Sequence, residues 1–159
     1  MVQINEMSMR ARLDRATLVA FMSKSLGVGE TRIGTSNDFL ELVGTAEEKA
    51  LGLDVLLSDS GFQTLCRWYK EGELSPPDLL ELAAKASVAF QTDTVFANYL
   101  EPPDVSTDQF LLVTPERKVF RAYATVNTDV FDVELVDGKE ISLDNSILMF
   151  RHTRQEETG

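Results

Sequence analysis

Nucleophilic catalysis needs a hydroxyl or thiol beside a base, and this chain offers one histidine and one cysteine for that work. His152 has Arg151 beside it and Arg154 two positions on, and cationic neighbours favour the neutral imidazole. A surface histidine at a strand end is the simpler reading. Cys66 lies within Phe62-Gln63-Thr64-Leu65-Cys66-Arg67-Trp68-Tyr69. Arg67 would favour a thiolate, but apolar neighbours at most contact positions of a helix predict a core thiol instead.

Gly27-Val28-Gly29 with Gly34 has the glycine richness of a phosphate loop but not its context. Such a loop joins a strand to a helix N-terminus, whose dipole attracts the anion. Here the glycines follow the end of an expected helix, and no Lys-Ser or Lys-Thr comes after Gly34. The acidic pairs Asp54/Asp59, Glu71/Glu73, Asp78/Glu81 and Asp132/Glu134 lack the dense spacing of a calcium loop. A lone histidine leaves no His–carboxylate cluster for a transition metal. The expectation is a protein without cofactor and without enzymatic activity.

Recognition has more to work with. Trp68-Tyr69 sits in an acidic stretch, and interface hot spots are rich in Trp, Tyr and Arg, with charged rims that set partner choice. The partner-binding residues expected on this basis are Glu47, Glu48, Trp68, Tyr69, Glu71, Glu73, Asp78 and Glu81. Trp68 filling a core is the competing reading. Arg10, Arg12 and Arg15, read as the exposed side of an N-terminal helix, offer a grip on an acidic surface, including that of a second copy of the chain.

The charge pattern points the same way. The chain has 26 acidic and 15 basic side chains, net −11, and residues 35–112 hold 14 of the acids against 4 bases. Phosphate backbones are bound by neutralising them with Lys and Arg, so this middle disfavours nucleic acid. It favours a basic protein partner through long-range attraction. The leading expectation is a small acidic interaction module of inhibitor, immunity or anti-defence type. The alternatives are an enzyme or ligand-binding domain with a cavity between sheet and helices, using Arg121, Tyr123 and His152, and a structural subunit of an assembly.

No apolar run approaches the ~20 residues needed to span a bilayer. Residues 1–29 lack the ordered features of a secretory signal. The single cysteine fits a reducing compartment, so a cytoplasmic location is expected.

The elements that must position these residues divide at Glu101-Pro102-Pro103-Asp104, which cannot continue a helix. Before it, three-to-four spacing predicts helices over 8–26 and 39–43. A capping box at Thr45/Glu48 predicts another to about Leu57. A helix carrying Phe62, Leu65, Cys66, Trp68 and Tyr69 follows, then one opened by Ser75-Pro76-Pro77-Asp78, and a weak helical piece at 93–100. After the break a period of two predicts strands at 110–113, 119–126, 130–136, 140–143 and 147–152, with Phe131, Val133 and Leu135 inward and a hairpin at Asp137-Gly138. The expected fold is α+β: N-terminal helices packed on one face of a C-terminal antiparallel β-meander of four to five strands. The expected domain is 1–152, helical over 1–100 and meander over 109–152, with a flexible tail at 153–159.

Overall fold

Alternation of buried and exposed side chains, the mark of a strand, runs through much of the N-terminal half where helical spacing predicts helices. The computed structural model describes residues 2–72, 74–97, 109–125 and 130–141. The chain divides into two compact units, Met1–Leu74 and Ser75–Gly159.

The first unit runs β1 (Val2–Met9), α1 (Arg15–Leu26), a 3₁₀ turn (Glu30–Arg32), β2 (Ile33–Gly34), α2 (Ser36–Glu41), β3 (Leu51–Leu57) and β4 (Thr64–Glu71). Its strands lie in the order β2-β3-β4-β1. β2 pairs parallel with β3, and the other neighbours are antiparallel. Register places Trp68 between Asn5 and Leu53, and all three are buried. Met7, Met9, Leu51, Cys66 and Thr64 are also buried, as are Leu18 and Met22 of α1. Arg15, the first residue of α1, donates from its guanidinium to the Leu53 carbonyl. Asp14 caps that helix by accepting from the Thr17 amide, and Gly27 ends it at φ 69°, a left-handed conformation open to glycine.

The second unit runs α3 (Pro76–Phe90), β5 (Thr94–Ala97), β6 (Gln109–Val113), β7 (Val119–Ala124) and β8 (Val133–Ile141). The strands β5-β6-β7-β8 are successive antiparallel neighbours. Ser75 and Asp78 form a capping box with proline in the first turn, as the sequence signal predicts. Leu80, Ala83, Ala84 and Ser87 share one side of α3 and are buried. The buried Ser87 hydroxyl lies 2.8 Å from that of Thr94 and 2.9 Å from the Val113 carbonyl, tying α3 to β5 and β6.

The expected fold is therefore corrected. Strands outnumber α-helices among the described residues, eight against three, and five of the eight stand in residues 1–100, the part expected to be helical. The segments 51–57 and 64–71 are strands because their apolar residues also satisfy a period of two, with Thr64, Cys66 and Trp68 inward. Between β-branched and aromatic neighbours, tertiary pairing overrides a helical reading. β1 hides its alternation because two residues on it, Asn5 and Ser8, are polar and buried. Thr45 opens no helix; its hydroxyl donates to the Leu42 carbonyl in a turn. The capping box of that region is Thr35/Asp38, opening α2. The piece at 93–100 holds β5 rather than a helix.

Of the meander expected over 109–152, β6, β7 and β8 stand in the described residues, joined by β5 from the segment expected to be helical, and the last strand differs. β8 continues through Asp137-Gly138 instead of turning back, with the irregularity absorbed between its pairings to Phe120 and Ala122. Gly138 takes φ 69° and Asp137 accepts from the Lys139 amide, which makes a local bulge. Val133 is buried as expected, whereas Phe131 and Leu135 are exposed. The strand expected at 147–152 and the tail at 153–159 lie outside the described residues.

Candidate functional site

The outer side of the first unit's sheet is defined by strand alternation. It carries Ile4 and Glu6 on β1, Arg67, Tyr69 and Glu71 on β4, and Gly52 and Asp54 on β3. Ile4 lies directly across from Tyr69 and is 55% exposed. The next row is charged: Arg67 faces Glu6 on one side and Asp54 on the other. The Arg67 Nε donates to the Glu6 carboxylate at 2.9 Å. Burial pushes the Asp54 carboxyl up, but the hydrogen bonds from Ser36 and the charges of Arg15 and Arg67 outweigh it and hold it below the ordinary value. Three carboxylates against one guanidinium leave this side negative.

α2 covers the β3 end of the same side. A Cβ on Gly52 would stand 2.7 Å from the Phe39 Cβ, so glycine there permits the helix to lie directly on the strand. Leu40 of α2 and Val43 just after it are left 54% and 60% exposed. A cleft of about 420 Å³ opens beside them, with Leu26, Val28, Phe39 and Val43 as its apolar wall. Arg32, Glu48, Lys49, Lys70 and Glu71 supply its charges.

The expected partner-binding residues fare differently. Glu47, Glu48 and Glu71 are exposed in the first unit, and Tyr69 is half-buried on the outer sheet side. Trp68 points the other way and is 0% exposed, so it belongs to the core and not to a surface anchor. Its indole N–H has no acceptor among the described residues. Asp78 and Glu81 belong to the second unit. Asp78 is committed to the Ser75 cap, and Glu81 accepts from Arg117 with both oxygens at 3.1–3.2 Å. Glu73 lies outside the described residues.

No family model, curated protein or solved structure matches this chain. Its chemistry rests on its own geometry.

The arginine trio does not form a helix face. Only Arg15 is helical. Arg10 lies over the Phe62 ring at 4.3 Å, and Arg12 bonds the Ser58 carbonyl and the Asp59 carboxylate, each at 2.9 Å. All three are engaged within their own unit. Of the residues named for a cavity site, Arg121 is half-buried on β7, the Tyr123 hydroxyl donates to Glu134 at 2.7 Å, a bond that raises its pKa, and His152 lies outside the described residues. Cys66 is fully buried and burial pushes its thiol up to about 12, which keeps it from acting as a thiolate. Among the described residues no helix is long and apolar enough to cross a membrane, and no group of three potential metal ligands occurs.

Sequence reasoning missed Ile4, Val43 and the cleft. Exposed apolar residues are common and carry no sequence signal by themselves; only their neighbours in space give them meaning.

Proposed function

We propose that this chain is a protein–protein interaction module that binds a more basic partner, blocking it or adapting to it, through the outer sheet side of the first unit. The observation that carries this reading is the pairing of exposed Ile4 with Tyr69 beside a row bearing Glu6, Arg67 and Asp54. An apolar and aromatic pair supplies the desolvated centre that interfaces use, and surrounding carboxylates supply attraction and register toward a basic surface. Net charge of −11 strengthens the long-range part. Tyr69 takes the anchor role that its neighbour Trp68, being in the core, cannot take.

The test is affinity capture from native lysate at low and moderate salt, with Ile4→Asp and Glu71→Lys variants alongside. Both positions are solvent-facing, so cooperative unfolding should survive the changes. The reading predicts one basic protein, weakened by salt and lost with either variant. Carbodiimide cross-links, which join carboxylates to lysines, should map to Glu71 and Glu6. Identical capture by parent and variants, or cross-links confined to other carboxylates, would sink it.

A further inference from the structure

The cleft beside α2 has the opposite electrostatic character from the sheet side. Three cations, Arg32, Lys49 and Lys70, meet two carboxylates, Glu48 and Glu71, in a chain whose acids far outnumber its bases. Its lysines are held by backbone, not by carboxylates. The Lys49 Nζ donates to the Thr31 carbonyl at 3.0 Å, and the Lys70 Nζ donates to the Glu71 carbonyl at 3.0 Å. Lys49 also lies close over Gly34, where an added Cβ would come within 3.0 Å of its Cγ. The bond to Thr31 places its ammonium, which forms no ion pair among the described residues and keeps two of its three protons available. Arg32 stands exposed in the same cleft with no side-chain partner among the described residues.

The same cleft is also lined by the apolar residues Leu26, Val28, Phe39 and Val43. A volume of about 420 Å³ falls within the ~300–1,000 Å³ of small-ligand sites. An apolar wall and a cationic rim at one opening suit a ligand that is itself divided in that way.

We propose that this cleft binds a small organic anion, an apolar body bearing one carboxylate- or sulfonate-type headgroup. The body lies against Phe39 and Val43, and the headgroup is met by Arg32, whose planar fork matches an oxyanion, with Lys49 as second donor. This inference does not rest on the protein-binding reading: the two sites share Glu71, but Arg32, Phe39, Val43 and Lys49 belong to the cleft alone.

The probe is anilinonaphthalene sulfonate, whose fluorescence rises in apolar surroundings, compared with phenylnaphthylamine, the same aromatic body without the sulfonate. The native chain should bind the sulfonate saturably with one site and the neutral analogue far more weakly. Arg32→Glu should weaken the sulfonate by about fivefold or more, the size of one partly exposed charge contact. Val43→Asp should abolish binding, and Glu48→Lys should tighten it. Both Arg32 and Val43 are exposed, so an unchanged melting temperature shows the variants to be folded. Equal binding of the neutral analogue would overturn the anion assignment. Binding that is non-saturable, or indifferent to all three substitutions, would overturn the site. Glu48 lies off the sheet side, so Glu48→Lys should tighten the sulfonate and leave basic-protein capture unchanged, which separates this proposal from the preceding one.

Discussion

The hydroxyl of Thr64 accepts from the amide of Leu13 at 2.8 Å, and the same oxygen donates to the Ala11 carbonyl at 2.7 Å. One buried side chain thus satisfies two backbone groups of the segment leading from β1 into α1. Replacing it by valine keeps the volume and removes both bonds. Each of these neutral, part-buried bonds contributes about 0.5–1.5 kcal/mol net. Thr64→Val should therefore destabilise the chain by roughly 1–3 kcal/mol, read as a lower urea midpoint with the slope unchanged. Serine, which retains the hydroxyl, should recover most of it.

Gly52 lies in β3 at an ordinary strand conformation, so its requirement is space and not backbone freedom. An alanine there would bring its Cβ within 2.7 Å of the Phe39 Cβ and 3.1 Å of the Ser36 Cα. α2 must then move away from the strand, at a cost of about 1–3 kcal/mol for an overpacked contact. Because Phe39 also lines the cleft, Gly52→Ala should change sulfonate binding as well as stability. A variant with the parent's unfolding curve would contradict the close approach.

Asp54 is held below its ordinary value of 3.8 by Ser36 and by the arginines, which overcome the opposing effect of burial. The folded value lies below the unfolded one, so the native state binds fewer protons than the unfolded state on the acid side. Its stabilisation is then complete above about pH 4 and is lost as pH falls through the folded value. The stability difference between parent and Asp54→Asn should stay flat from neutral pH down to that point and shrink below it. Urea unfolding at a series of pH values measures this directly. A difference that persists unchanged at the lowest pH would contradict the role of the charged carboxylate.

Some of this molecule was legible in its sequence and some was not, for physical reasons that particular residues make plain. The Ser75-Pro76-Pro77-Asp78 start, the Gly27 stop and the turn at Thr114–Arg117 are local devices, in which side chains and glycines satisfy nearby backbone groups. Local devices are written in neighbouring letters, and the structure contains them. The segments 51–57 and 64–71 are different, because Leu53, Cys66 and Trp68 fit a helical period as readily as a strand. Which period wins is decided by the ladder that pairs Trp68 with Asn5 and Leu53, residues far away in the chain. That pairing also decides side. Trp68 and Tyr69 are adjacent letters with similar promise as anchors, yet successive strand residues point to opposite faces, so one fills the core and the other reaches the surface. The sequence by itself determined the acidic balance, the lone cysteine and histidine, the Ser75/Asp78 start of α3 and the glycine end of α1. Only the tertiary structure decided the strand-rich fold, the Ile4–Tyr69 pair and the cationic cleft, because each depends on contacts between segments that no local pattern encodes.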